Sequence, residues 1–243
     1  MFDETGDPDG IPVVLLPAFG IHRSMWRAQQ ESLADMGYRA IAMDLPGLSG
    51  TPEPAFSMTS AGDVIADTLQ RHVRRPAHLV GISIGATLAV QVALDHPGDV
   101  ASLLLSGGQA RPGFAGRLER WAAWAMPERL LVGGVPSAVK RSHPQLAEKS
   151  VAMQTSIGKS RLVAALDAFS RVDLRPRLGE IHVPTLVVCG AKNRLSLNGS
   201  RALVAGIPGA RLDLIKDVGH VWNLEAPAQF TQTVDDFIQS TSA

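Results

Sequence analysis

Six short stretches rich in apolar and β-branched residues recur along the chain, and each has the length of a β-strand. They cover residues 13–16, 38–43, 77–80, 100–105, 185–189 and 211–215. The first, VVLL, is continuously apolar, a pattern typical of a strand that is buried on both faces. The pattern therefore predicts a sheet that is covered by other structure.

Segments with the apolar spacing of helices separate most of these strands. They cover about 25–36, 59–72, 84–96, 197–206 and 225–240, with Ser24 before the first, Thr59 or Ser60 capping the second and Pro97 ending the third. This alternation predicts an α/β fold with a mainly parallel sheet and helices on both faces. Ligands bind at the carboxyl ends of the strands in such sheets, so functional residues are expected directly after strands.

Residues 106–184 interrupt the alternation, because they contain no convincing strand. Residues 109–116 have the composition of a loop, and two helical runs follow, GRLERWAAWAMPERLL and QLAEKSVAMQTSIGKSRLVAALDAFSRV. A connection of this length without structure of its own is uncommon. We interpret residues 109–177 as an inserted helical cap on a core made of residues 1–108 and 178–243, with a pair of ordinary crossover helices as the alternative.

The charge balance and the cysteine content limit which partners and which cellular compartment are expected. Lys plus Arg and Asp plus Glu each number 23, so no net field favours nucleic acid or an acidic membrane surface. The single cysteine, Cys189, excludes an intrachain disulfide, and its place in an apolar strand predicts burial. No apolar run approaches the length of a membrane span, and the polar N-terminus is unlike a signal peptide. We expect a soluble cytoplasmic protein with a small-molecule substrate and neither nucleic acid nor membrane as a partner.

The stretch VGISIG, residues 80–85, has the G-x-S-x-G pattern of a nucleophile elbow and lies between a predicted strand and a predicted helix. Gly81 and Gly85 lack the Cβ atoms that would clash with the neighbouring strand and helix, so the turn can expose Ser83 Oγ. The N–H of Ile84 would open the helix and could stabilise an oxyanion. Ser83 is therefore the candidate nucleophile; a tight turn without a chemical role is the alternative.

Two histidines follow predicted strands. His220 lies after the last strand, on the loop of residues 216–220, where it could act as a general base toward Ser83. The alternative is a surface histidine on that loop. His22 follows the first core strand and could line the ligand pocket.

Together these motifs resemble the α/β-hydrolase fold superfamily over essentially the whole chain. The residues that carry the resemblance are the Ser83 elbow, DLPG at 44–47, Gly190 with its following loop, Gly219-His220 and LEAP at 224–227. The chain is similar to the small capped branch that includes esterases, lactonases, C–C bond hydrolases and haloperoxidase-like enzymes. The resemblance implies an α/β-hydrolase fold, with a mostly parallel sheet, helices on both faces and an inserted helical cap, and the order nucleophile, acid, histidine.

The position of the acid departs from this family pattern. The family's acid usually falls three residues after the glycine that ends the strand, and here that position is Asn193, with no Asp or Glu anywhere in residues 181–212. Asparagine Oδ1 can still accept a hydrogen bond from histidine, which makes Asn193 the candidate orienting residue. It cannot neutralise an imidazolium, and its Nδ2 can donate instead and stabilise the wrong tautomer.

Four explanations for Asn193 remain open at this point. A carboxylate elsewhere could serve, although SGGQ at 106–109 offers none and Asp217 is expected to face solvent. The asparagine could be a change introduced to slow turnover. The natural chain could work with Asn193, because its chemistry needs less general-base power or no acyl-enzyme. Finally, the loop could be aligned wrongly.

The oxyanion loop and the first edge strand also depart from the family. The family commonly has His-Gly after the first core strand, whereas this chain has Pro17-Ala18, and the alignment makes the N–H of Phe19 the second oxyanion donor. Alanine would cost of order 1 kcal/mol or more if that backbone needs a positive φ. Since only about a dozen residues precede Val13, we expect the first edge strand to be missing or rudimentary.

The predicted cap carries large apolar residues, some of which should form an apolar pocket over the strand ends: Trp121, Trp124, Met126, Leu130, Leu131 and Met153. The alternative is that they only pack the cap onto the core. Arg23 and Arg194 flank the motif loops and could bind a carboxylate. Since no metal-ligand spacing and no phosphate loop occur, we predict no cofactor.

Three functions are compatible with these residues. The leading hypothesis is a serine-dependent hydrolase of an ester, lactone or thioester of a mostly apolar small molecule. The second is a lyase, cyclase or acyltransferase that uses Ser83 and His220 as acid–base groups. The third is a catalytically inactive fold that binds a small ligand. Asn193 and Ala18 favour the latter two, whereas the intact Ser83, His220 and elbow glycines favour the first two.

Overall fold

The computed structural model describes residues 2–48, 56–112, 125, 127, 131 and 134–241 of the 243-residue chain. Its sheet consists of β1 Phe2–Thr5, β2 Ile11–Leu16, β3 Tyr38–Met43, β4 Ala77–Ile82, β5 Val100–Ser106, β6 Thr185–Gly190 and β7 Arg211–Ile215. The spatial order is β1-β3-β2-β4-β5-β6-β7, and every neighbouring pair except β1 with β3 is parallel. The six predicted strands are confirmed, with ends that differ by at most two residues.

The edge strand β1 is short and mostly polar, which explains why the apolar pattern did not reveal it. It runs antiparallel to β3, with Phe2 opposite Met43. Glu4 of β1 also forms an ion pair with Arg39 of β3, so side chains support the short ladder. The expected missing or rudimentary strand is therefore a strand of four residues.

The helices follow the predicted alternation: α1 Arg27–Asp35, α2 Met58–Thr68, α3 Ile84–Asp95, α4 Ser137–Ser142, α5 Pro144–Ile157, α6 Lys159–Ser170, α7 Arg194–Gly206, α8 Trp222–Glu225 and α9 Pro227–Thr241. Helix starts differ from the predicted ones by up to three residues, and the caps before two helices were not predicted. Ser57, rather than Thr59 or Ser60, caps α2 by accepting the N–H of Ser60. A 3₁₀ turn capped by His22 precedes α1. No helix in the described ranges is long and apolar enough to cross a bilayer.

The continuously apolar strand β2 packs against helices on both sides of the sheet. Val13 and Leu15 belong to the cluster that contains α1 and α9, whereas Val14 and Leu16 belong to the cluster that contains α2 and α3. All four side chains are fully buried. The alternation arises because successive side chains of a strand point to opposite faces, and it confirms the prediction of a sheet covered on both faces.

Helices α4, α5 and α6 lie between β5 and β6, and none of the described residues in this segment forms a strand. The second predicted helical run is two helices, because Gly158, at φ 77°, ends α5 and precedes α6. Leu146 packs with the α1 side of the core, and Met153 and Leu162 pack with the α3 side. The division at residues 109–177 into a separate cap stays a prediction.

A buried ion pair ties the loop after β2 to the sheet. The guanidinium of Arg23 contacts the carboxylate of Asp44, just after β3, and also that of Asp3 in β1. The backbone N–H of Arg23 donates to Asp44 Oδ1 at 2.9 Å. Two internal carboxylates therefore engage this arginine, which corrects the interpretation that it could bind a carboxylate of the substrate.

We predict that Asp44→Ala destabilises the fold by about 3 kcal/mol, because it leaves the largely buried Arg23 short of a carboxylate. The matched control is Glu31→Ala, which breaks the exposed pair of Arg27 with Glu31 and should cost at most about 0.5 kcal/mol. Urea denaturation of both variants gives the two free energies of unfolding. Equal losses of unfolding free energy would contradict the claim that the buried pair of Arg23 with Asp44 stabilises the fold more than the exposed pair does.

Candidate active site

Ser83 occupies a strained backbone position between β4 and α3. Its φ of 59° and ψ of −121° lie outside the regions that side-chain-bearing residues ordinarily adopt, and such a conformation costs about 1–3 kcal/mol. The N–H of Ser83 donates to the carbonyl of Ser106 at 2.8 Å, which joins the turn to the end of β5. The sequence context of a nucleophile elbow is thus realised as a sharp strand–helix turn.

The two elbow glycines are required by close backbone approach. A Cβ on Gly81 would lie 2.5 Å from the N of Ala86, in the following helix. A Cβ on Gly85 would lie 2.4 Å from the carbonyl oxygen of Leu16, at the end of β2. Both distances are shorter than any real contact, so the steric reason given for the glycines is confirmed.

His220 contacts Asn193 directly. Asn193 Nδ2 lies 2.7 Å from His220 Nδ1. Asn193 directly precedes α7, and His220 lies on the loop between β7 and α8, so two loops at the carboxyl ends of neighbouring strands supply the pair. The structure therefore brings together two of the three predicted catalytic residues.

The identity of the amide atom that faces the ring determines what His220 can do. With Nδ2 against Nδ1, the amide donates, Nδ1 accepts, and the ring proton lies on Nε2. That tautomer cannot take a proton at Nε2. A flip of the Asn193 amide presents Oδ1, which accepts from Nδ1–H and leaves Nε2 free as a base. A carboxylate would permit only the second arrangement at neutral pH.

The pKa of His220 is shifted downward. Burial of the ring lowers the pKa, and the negative charge of Glu225 acts in the opposite direction. Glu225 Oε2 accepts the N–H of Gly219 at 2.9 Å, so this carboxylate lies on the same loop as the histidine. Sequence reasoning missed Glu225 as a neighbour of His220; its place five residues after the histidine, in the LEAP stretch, was the available signal.

Ser83 and His220 approach the same short segment at the end of β5. Ser106 accepts from the backbone of Ser83, and a Cβ on the next residue, Gly107, would lie 3.1 Å from the His220 ring. No hydrogen bond joins Ser83 Oγ to His220, both of which lie in the described ranges. Catalytic hydrogen bonds are often long without substrate, so the arrangement is compatible with proton transfer after substrate binding.

The predicted oxyanion donors lie on two different elements. Ile84 is the first residue of α3, so its N–H has no acceptor within the helix. Phe19 is the second residue of a turn closed by the Ile21 N–H and the Ala18 carbonyl at 3.2 Å. The positive φ in this turn, 68°, belongs to Gly20. The expected strain at Ala18 is therefore absent, because glycine occupies the third turn position that requires this conformation.

The residues predicted to line a substrate pocket lie in different surroundings, and some of them lie outside the described ranges. His22 Nδ1 accepts the N–H of Ser24 and its ring packs near Arg23, so the side chain caps a helical turn. Met153 is buried among core residues. Trp121, Trp124 and Met126 lie outside the described residues. Their part in a substrate pocket stays a prediction.

A crevice of about 460 Å³ lies between α1, the start of α5 and α8. Arg27, Glu31, His143 and Lys149 are among its lining residues. None of the predicted catalytic residues lines it, so the crevice is separate from the Asn193–His220 pair.

Comparison with known proteins agrees with this fold. A model of the alpha/beta hydrolase family matches residues 13–233. A pimeloyl-acyl-carrier-protein methyl ester esterase of Methylococcus capsulatus is 31% identical over 264 residues, with 96% of each chain covered. A thermophilic esterase of Thermogutta terrifontis has a TM-score of 0.83 at 26% identity, over 100% of this chain and 94% of that one. An enol-lactonase of Burkholderia xenovorans LB400 shares the fold, with a TM-score of 0.82, 24% identity and coverage of 98% and 96%.

We predict that Glu225→Gln lowers the pKa of His220 further below its ordinary value of 6.5, because the variant removes the negative charge that favours the imidazolium. Glutamine keeps an oxygen that can accept the Gly219 N–H. The measurement is an NMR titration of the His220 ring. Asp217→Asn, which changes an exposed carboxylate on the same loop, is the control and should shift the midpoint less.

The lowered pKa of His220 in the unsubstituted chain also makes stability depend on pH. Because the folded pKa of His220 lies below the unfolded one, the unfolded chain binds a proton first as the pH falls through about 6.5. His220 therefore contributes stability above that pH and loses it progressively below, toward the folded pKa. An unchanged or raised titration midpoint in Glu225→Gln would contradict this electrostatic account.

Proposed function

Because the chain belongs to the alpha/beta hydrolase family, we propose that it is a serine-dependent hydrolase of an ester, lactone or thioester of a mostly apolar small molecule. The observation that carries the proposal is the strained Ser83 turn, combined with a histidine held at Nδ1 on the neighbouring loops. Strain of this kind persists only where the surrounding structure enforces it, and it clusters at functional sites.

The proposed reaction has two halves. Ser83 Oγ attacks the carbonyl carbon, its proton passes to His220 Nε2, and the N–H groups of Ile84 and Phe19 hold the oxyanion. Collapse of this intermediate breaks the bond to the leaving oxygen or sulfur, which takes the proton from His220. Water then attacks the acyl-enzyme through the same proton transfers, releasing the carboxylic acid and restoring Ser83.

Asn193 limits this chemistry in two ways. In the orientation described, the amide favours the Nε2–H tautomer, so the ring must wait for an amide flip before it can act as a base. After proton transfer, the neutral amide stabilises the imidazolium less than a carboxylate would. In a serine protease of another fold the same exchange lowers kcat by about 10⁴, or roughly 5–6 kcal/mol. We therefore propose a slow hydrolase, or one whose substrate makes a small demand on the base.

The substrate class rests on the relatives and on the composition of the chain. One relative is named as a methyl ester esterase and one structural neighbour as an esterase. Residues 109–177 also supply Trp121, Trp124 and Met126, large apolar residues whose presence in the sequence favours an apolar ligand. A nucleophilic serine together with this composition fits a small apolar acyl compound.

The orientation of Asn193 also favours a second candidate. With its proton on Nε2, neutral His220 can donate a hydrogen bond from that nitrogen and polarise a carbonyl oxygen of the substrate. A lyase, cyclase or acyltransferase that uses Ser83 and His220 as acid–base groups would exploit this state. A requirement for His220 in turnover, without any acyl-enzyme on Ser83, would distinguish this candidate from the hydrolase.

We predict that a serine-reactive fluorophosphonate labels Ser83, with fluoride leaving as the oxygen–phosphorus bond forms. Asn193→Asp should accelerate labelling by up to about 10⁴, because a carboxylate fixes the productive tautomer. Mass spectrometry locates the adduct. Asn198→Asp, the same exchange at an exposed position on α7, is the matched control and should leave the rate unchanged.

Ser83→Ala should abolish labelling at the elbow. Equal rates in the unsubstituted chain and Asn193→Asp would show that the amide serves as well as a carboxylate. Absence of labelling in both would contradict the serine-hydrolase proposal and favour the second candidate or a ligand-binding protein.

A further inference from the structure

Two side chains of α5 bind the backbone of the loop that carries Phe19. The N–H of His22 donates to Ser150 Oγ at 3.1 Å. Gln154 Nε2 donates to the carbonyl of Gly20 at 2.7 Å. Ser150 and Gln154 are four residues apart, so they project from the same face of the helix. These contacts join segments that are 128 and 134 residues apart in the chain.

The side chains of Ser150 and Gln154 are both buried and closely packed at these contacts. Ser150 is fully buried and Gln154 is 4% exposed. The Ser150 hydroxyl donates to the carbonyl of Leu146 at 2.7 Å, which directs its lone pairs away from its own helix and toward the His22 N–H. A Cβ on Gly20 would lie 2.9 Å from Gln154 Nε2, so the loop backbone and the amide meet without room for a side chain.

The two contacts act on the peptide groups that follow Phe19. One holds the Gly20 carbonyl and the other the His22 N–H, while the bond between Ile21 and Ala18 closes the turn itself. Rotation of the Phe19 peptide would need compensating changes at these anchored groups. The Gly20 carbonyl shares a peptide group with the Ile21 N–H, and the Ala18 carbonyl shares one with the Phe19 N–H, so these bonds link α5 to the peptide that carries the Phe19 N–H.

Gln154 contributes little to stability through this contact. Its Oε1 has no hydrogen-bond partner among the residues that the structure describes. A buried, unpaired acceptor destabilises the folded state, which offsets the gain from the bond to Gly20. An apolar side chain of similar volume would avoid this cost, so the presence of an amide here is not explained by stability.

We propose that Ser150 and Gln154 are positioning residues, through which α5 holds the Phe19 N–H in the direction required of an oxyanion donor. This inference rests on the proposed function for the part that concerns catalysis. It couples a helix between β5 and β6 to the reactivity of Ser83 through the loop that follows β2. A displacement of α5 would then switch one oxyanion donor off.

The test uses Gln154→Met, which keeps the side-chain volume and removes the donor, and Ser150→Ala, which removes the acceptor. Thr155→Ala is the matched control, because Thr155 is exposed on the same helix and bonds only its own helical backbone at Val151. Hydrogen–deuterium exchange of residues 17–24 and fluorophosphonate labelling of Ser83 are measured in the full chain. Each variant is also made with Asn193→Asp.

We expect exchange in residues 17–24 to rise about tenfold in Gln154→Met and Ser150→Ala and to stay unchanged in Thr155→Ala. We expect the maximal labelling rate to fall about tenfold to a hundredfold, with the apparent affinity for the probe nearly unchanged. The melting temperature should change little in Gln154→Met and fall in Ser150→Ala, because the His22 N–H then loses its acceptor. A merely structural role would leave the maximal rate intact in both variants.

Unchanged exchange would overturn the proposal that α5 holds the loop. Raised exchange with an unchanged labelling rate would overturn its catalytic part. If Ser83 labels neither in the unsubstituted chain nor in Asn193→Asp, the proposed function fails, and the exchange result still decides whether α5 holds the loop.

Discussion

The close packing of β2, β4 and α3 at two glycines constrains the position of everything else in the candidate site. Gly85 lies against the carbonyl oxygens at the end of β2, and Gly81 lies against the first turn of α3. Only this approach allows the chain to reverse within a few residues and hold Ser83 at positive φ. The same turn exposes the first N–H of α3 and places Ser83 next to the end of β5, where the loop with His220 also arrives.

The parallel order of the sheet explains why residues distant in sequence meet there. Strands β4, β5, β6 and β7 are neighbours and parallel, so the segments after them lie at one edge. Ser83, Gly107, Asn193 and His220 each follow one of these strands. The unusual element is chemical rather than architectural: a neutral amide occupies the place at His220 Nδ1 where a carboxylate would stabilise both the productive tautomer and the imidazolium.

Much of this arrangement was predictable from sequence, since strand–helix alternation, G-x-S-x-G and Gly-His are local signals. The strands, the elbow glycines and the place of Asn193 after β6 all followed from them. Contacts set by tertiary packing were not predictable. Arg23 turned out to be engaged by internal carboxylates, and the positive φ belongs to Gly20 rather than Ala18.

Two further features could not be predicted from the sequence, for related reasons. Strand β1 is four residues long and three of them are polar, so no apolar pattern marks it. The bonds from α5 to the oxyanion loop join residues more than 120 positions apart through a serine and a glutamine, residue types that occur throughout the chain. Neither has a local sequence signature. Both become visible only when the fold places the partners together.

The central claim is that Asn193 holds His220 by donating to Nδ1, and the tautomer of the ring tests it most directly. Two-bond ¹H–¹⁵N correlation spectra distinguish an Nε2–H ring from an Nδ1–H ring above the pKa of the histidine. The account predicts a substantial Nε2–H population in the unsubstituted chain and a single Nδ1–H form in Asn193→Asp. A single Nδ1–H form in both proteins would contradict it, because the amide would then present its oxygen and do the work of the carboxylate.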